Sequence, residues 1–130
     1  MKDRETTLST ISEAVRQFSE DRNWTPFHSP RNLAMALSVE ANELLELYLW
    51  STDDGPQPAV TTRHPRVAEE AADVLICLLN LCRRADIDLA AAVKEKLRTS
   101  AIKYPIERVR GQALKYDEYG EEPTPQESTD

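Results

Sequence analysis

Two pairs of carboxylates at a spacing of three, Glu40 with Glu43 and Glu70 with Asp73, sit among apolar residues rather than on an obviously solvated stretch. On a helix, residues three apart are neighbours on one face. Projected at about 100° per residue, the first segment gathers Leu33, Leu37, Leu44, Leu47 and Tyr48 on one side. Glu40 falls in the middle of that side and Glu43 on its edge, near Ala36 and Trp50. Glu46 lands opposite, with Ser38 and Asn42. In the second segment Val67, Ala71, Val74, Leu78 and Leu81 define the main apolar face, and Glu70 borders it near Cys77. Asp73 follows in a run that is apolar nearly all round and predicts a central helix, which would keep this side chain from water. Glu69 points away.

A carboxylate in apolar surroundings costs several kcal/mol unless something neutralises it. No lysine or arginine lies between Arg31 and Arg63, nor between Arg66 and Arg83. The acids must then neutralise one another, either by taking up protons or by gathering around cations. Oxygen-only ligation suits Mg²⁺, with Mn²⁺ as the alternative. A single such pair is ordinary on a solvated helix; two pairs leaning into apolar faces are not. A di-iron carboxylate bundle wants Glu-x-x-His from two helices, and neither His28 nor His64 is so placed. Zinc lacks a Cys/His set.

The elements that carry these acids are helices. The chain has 3 glycines and no strictly alternating run, whereas helical spacing recurs throughout. A first helix is expected from about Thr7 to Asp21, with Ile11, Val15 and Phe18 on one face, followed by a loop over Asn23 to His28. Ser29 as N-cap and Pro30 as first helical residue open a second, expected to reach about Trp50 and stop in the turn cluster before Pro56. A loop follows to His64. Pro65 opens a third helix to Ala85, Asp86-Ile87-Asp88 punctuates the chain, and Asp88 caps a fourth that ends near Lys103-Tyr104 before Pro105. Ile106 to Tyr119 is mixed. The predicted fold class is all-α, four main helices in a bundle, with residues 1–119 as the domain and 120–130 as a disordered acidic tail.

Composition narrows the function classes. The formal net charge of −7 argues against nucleic-acid polymers, which attract basic surfaces, but not against a triphosphate approached through divalent cations. The longest apolar stretch, Val74 to Leu79, is far too short to span a bilayer. The polar start Met1-Lys2-Asp3-Arg4-Glu5 has no signal-peptide core, so neither secretion nor a membrane is expected. Cys77 and Cys82, five apart on one helix, point to different sides and read as small core residues of a reducing, cytoplasmic compartment.

Glu40-x-x-Glu43 followed by Glu70-x-x-Asp73 resembles the metal-binding signature of the MazG-like all-α nucleotide pyrophosphohydrolases, most closely their dCTP pyrophosphatase branch. Phe18, Trp24-Thr25-Pro26-Phe27-His28, Pro30-Arg31-Asn32-Leu33, Leu49-Trp50, Lys96 and Lys103-Tyr104-Pro105 extend the likeness over most of residues 8–116. In that family the acids hold Mg²⁺ at the triphosphate, water attacks the α-phosphorus, pyrophosphate leaves and a monophosphate remains. The resemblance implies that Glu40, Glu43, Glu70 and Asp73 are the metal-holding catalytic acids. It further implies that Lys96 and Lys103, with Arg31 behind them, offset phosphate charge. Trp24, His28 and Trp50 would line a nucleobase pocket, where stacking on an aromatic ring is worth about 1–3 kcal/mol.

Three positions depart from the dCTP-preferring members: Val15 replaces a histidine, Cys77 a tyrosine, and Ser100 an asparagine. In the resembled enzymes these help recognise the base, so the metal chemistry is expected with base choice open. The expected activity is house-cleaning hydrolysis of a pyrimidine or modified nucleoside triphosphate. Alternatives are a related pyrophosphohydrolase acting on dUTP or phosphoribosyl-ATP, and a non-catalytic helical nucleotide-binding protein. Family members assemble as dimers or tetramers, and the apolar character of the third helix predicts a homo-oligomer through helices two and three.

Overall fold

A computed structural model of the chain describes residues 1–49 and 65–111. Trp50, the loop to His64 and the expected acidic tail at 120–130 lie outside the described residues. Among those described, every regular element is helical and none is a strand: α1 (Leu8–Asp21), η1 (Thr25–Phe27, a 3₁₀ turn), α2 (Pro30–Glu46), α3 (Pro65–Arg84), α4 (Leu89–Lys103) and α5 (Ile106–Val109). No helix among them is long and apolar enough to cross a membrane.

Local chemistry sets most of the boundaries. The Thr7 hydroxyl accepts from the Thr10 amide at 3.1 Å, and the Ser29 hydroxyl accepts from the Asn32 amide at 3.2 Å, each satisfying one orphan donor at a helix start. Asn23 and Asp86 stop α1 and α3 by turning the backbone left-handed, at φ 52° and 54°; both are residue types that tolerate that region. Helix α2 ends one turn short of the expected Trp50. The amides of Tyr48 and Leu49 bond back to Leu45 and Glu46 at 3.0 and 3.1 Å, so the helix tightens into a turn. Pro105, expected to end α4, also opens the short helix α5.

The chain divides into two compact units, Met1–Leu89 and Ala90–Asp130. In the first, α3 is the central element, with α2 along it and α1 against it. Val15, Leu33, Leu79 and Cys82 are its buried apolar residues among those described. Ser19, essentially inaccessible, turns its hydroxyl back to the Val15 carbonyl at 3.1 Å and so brings no unpaired group inside. The buried stripe of α3 is not the one expected from projection. Leu79, Asn80, Cys82 and Glu70 are its buried residues, while Ala71 is exposed. Cover comes from α2 and α1 on particular sides, not from a ring of neighbours. The second unit carries α5 and nearly all of α4, and among its described residues none is buried.

Candidate active site

The paired helices α2 and α3 bring Glu40, Glu43 and Glu70 together: one oxygen from each can be chosen so that all lie within 4.8 Å of one another. Glu70 is only 9% exposed, Glu40 is half-buried and Glu43 is exposed. Burial first, and then the neighbouring charges of Glu43, Asp73 and Glu70, hold the Glu40 carboxyl above the usual carboxylate range. Such a cluster of hard oxygens, repelling when ionised, is chemically matched to a divalent cation of the Mg²⁺ or Mn²⁺ kind.

Asp73 departs from expectation. It is exposed rather than enclosed and is not a member of the three-acid cluster. It lines a groove of about 480 Å³ between α1 and α3, with Val15, Phe18, Trp24 and Ile76. One turn of α3 carries Asp73 about 60° past Glu70, onto the side that α2 does not cover. Its charge still acts on Glu40 and on the Cys77 thiol, which burial, Glu40 and Asp73 push up in that order.

A second cavity, of about 270 Å³, is lined by Trp24, Phe27, His28, Cys77 and Asn80 among others. Its outer wall is the segment between α1 and α2, pinned at several points. The Trp24 amide donates to the Ser19 carbonyl at 3.0 Å, and the Asn32 side chain donates to the Phe27 carbonyl at 3.0 Å. Arg84, at the far end of α3, donates through Nε to the His28 carbonyl at 2.9 Å. Phe18 meets Trp24 edge-on at 5.8 Å, and the Arg22 guanidinium lies 3.5 Å above the Phe18 ring. Trp24 is held in place yet 46% exposed, as suits a stacking surface better than a core residue. Burial, then Arg83 and Arg84, lower the pKa of His28, so its ring is neutral at pH 7. Its Nδ1 is enclosed without a hydrogen-bond partner among the described residues.

Of the other expected residues, Arg31 is exposed in the first turn of α2, and Lys96, Ser100 and Lys103 lie on α4 in the second unit. Trp50 lies outside the described residues. Sequence reasoning missed Arg84, Arg22 and Asn80. The last had a signal: Asn80 is the lone polar residue between Asp73 and Arg83, at i+7 from Asp73 and i+3 from Cys77, on one stripe of α3.

Known proteins resemble this chain over most of its length. The sequence profile of the MazG-like family matches residues 35–118. Mouse dCTP pyrophosphatase 1 is 42% identical over 114 residues, which cover 86% of this chain and 67% of the mouse protein. The human dCTP pyrophosphatase 1 is 40% identical over 116 residues, 88% of this chain and 68% of the human one. Among solved structures, a pyrophosphatase from Archaeoglobus fulgidus superposes with a TM-score of 0.69 at 39% identity, covering 75% of this chain and 92% of the archaeal one.

Proposed function

Because the chain belongs to the MazG-like family, we propose that it hydrolyses nucleoside triphosphates, with pyrimidine nucleotides as its house-cleaning substrates, to a monophosphate and pyrophosphate. The observation that carries the chemistry is the convergence of Glu40, Glu43 and Glu70 across two helices. With Asp73 these residues would hold Mg²⁺ or Mn²⁺. When bound, such an ion polarises phosphoryl oxygens, lowers the pKa of water and offsets the charge of the leaving pyrophosphate. Water forms the new bond to the α-phosphorus and the bond from that phosphorus to the bridging oxygen breaks. The protein's own part is to fix the acids on a rigid helix pair and to orient the nucleotide.

The cavity of Trp24 and His28 takes the base, and Trp50, outside the described residues, is by the family resemblance a further stacking ring. Arg31 offsets phosphate charge; the roles of Lys96 and Lys103 at the phosphates and of Ser100 at the nucleoside rest on the family resemblance alone. The finer architecture we propose is a four-helix bundle completed by a second copy, in a cytoplasmic enzyme. Met35, Val39 and Leu45 on α2 are all more than half exposed, an apolar load that a lone small unit leaves in water. Light scattering should give a dimer or tetramer; a stable monomer at micromolar concentration would contradict it.

The pinning of the base cavity gives a further expectation. Arg84→Ala removes the bond that ties His28 to α3, so KM should rise on the order of threefold to tenfold with kcat nearly unchanged; steady-state kinetics with an unaltered KM would exclude that role.

The activity is tested by screening canonical and modified NTPs and dNTPs for pyrophosphate release with Mg²⁺ and with EDTA. Metal-dependent release from pyrimidine substrates supports the proposal. Nucleotide binding with no turnover of any substrate would make the chain a sensor instead.

A further inference from the structure

Among the polar side chains of the base cavity, the buried Asn80 has a direction that is chemically fixed. Asn80 is 4% exposed, lies on α3 one turn beyond Cys77, and lines the cavity together with Trp24 and His28. Its Oδ1 accepts from Arg83 Nη2 at 3.1 Å. A guanidinium offers only donors, so the carboxamide cannot be turned the other way without setting two donors against each other. The oxygen therefore belongs to Arg83, and the NH₂ group is left to serve the cavity. A nucleobase entering the cavity displaces solvent from around this donor and can supply an acceptor in its place.

We infer that Asn80 is a specificity-determining residue that donates from Nδ2 to a keto oxygen of the bound base, selecting cytosine, uracil, thymine or guanine nucleotides over adenine, which carries no keto group. Arg83 is the positioning residue that sets the amide's direction. The inference rests on the pyrophosphohydrolase reading of the same site, but depends on the base alone and not on the metal chemistry. It also supplies a polar contact at a cavity where Cys77 stands in place of a larger hydroxylated side chain.

The informative variant is Asn80→Asp. The carboxylate keeps the bond to Arg83 while replacing the donor with an acceptor of matching shape. For dCTP and dUTP, KM should rise about tenfold or more with kcat within about twofold, because a site built around one hydrogen bond discriminates strongly when that bond is lost. KM for dATP, and for a deoxyribose 5-triphosphate lacking any base, should not move. Asn80→Ala, which adds no charge, should repeat the pattern. An unchanged KM for dCTP and dUTP would overturn the inference. So would an equal rise for the base-free triphosphate, which would make Asn80 a structural support. Should the wild-type protein release no pyrophosphate from any nucleotide, the failure lies with the proposed activity. Asn80 is then judged by quenching of tryptophan fluorescence with dCMP, dUMP and dAMP in EDTA. Loss of dCMP and dUMP binding in the variant supports the inference, and equal binding by both proteins overturns it.

Discussion

Replacing Glu40 by Gln should lower pyrophosphate release by at least about a thousandfold, and should leave the helices intact. The loss follows from position: Glu40 sits centrally on the α2 face that meets α3, where its oxygen converges with those of Glu43 and Glu70. Gln keeps the shape but contributes one neutral carbonyl where a cation needs charge. A divalent ion supplies several kcal/mol to phosphoryl chemistry, and each 1.36 kcal/mol is about tenfold in rate. Stability should move the other way. Without metal, the ionised form of Glu40 is opposed by burial and by three other carboxylates. Removing that charge should raise the midpoint of thermal unfolding in EDTA. Wild-type turnover in the variant would take Glu40 out of the site, whereas a collapsed far-ultraviolet dichroism signal would make its role structural.

Chelation should have an effect of similar size on activity and a distinctive one on stability. EDTA is expected to abolish turnover, and excess Mg²⁺ or Mn²⁺ to restore it. The folded-state pKa of Glu40 is raised above the ordinary 4.5, so the folded protein holds its proton more tightly than the unfolded chain does. Stability in EDTA therefore falls as pH rises from about 4.5 through the raised value, and the full penalty is present above it. A bound divalent cation compensates the same charge. Mg²⁺ should then raise the unfolding midpoint at pH 7, and this gain should shrink as pH drops into the carboxylate range, where protons already do the compensating. A Mg²⁺ effect that is the same at pH 7 and at pH 4.5 would mean that the ion acts elsewhere.

Much of this was legible in the sequence because local rules dominated there. Ser29 and Pro30 marked a helix start through capping chemistry, and the helical spacing of Leu33, Leu37 and Leu44 placed Glu40 inward. The resemblance carried by Glu40-x-x-Glu43 and Glu70-x-x-Asp73 pointed to the family that the comparisons show. What was not legible depended on which side of a helix is covered. The run around Asp73 is apolar nearly all round, so periodicity could not say that α2 would cover Glu70 and leave Asp73 at a groove beside α1. The end of α2 was misplaced because the residues after Glu46 remain good helix formers; the chain turns there without a proline or glycine to announce it. Arg84 could not have been found, since its partner, the His28 carbonyl, is 56 residues away and carries no side-chain signature. Asn80 was visible as a polar break in an apolar run, but its meaning required knowing that Arg83 occupies its oxygen.

The most direct test of the account is Mn²⁺ binding, followed by electron paramagnetic resonance, to the wild-type protein and to a variant with Glu40, Glu43 and Glu70 all changed to Gln. The wild-type protein should bind Mn²⁺ stoichiometrically and release it to Mg²⁺, while the triple variant remains folded and leaves the ion free in solution. Undiminished Mn²⁺ binding by the triple variant would contradict the claim that these carboxylates are where the metal is held.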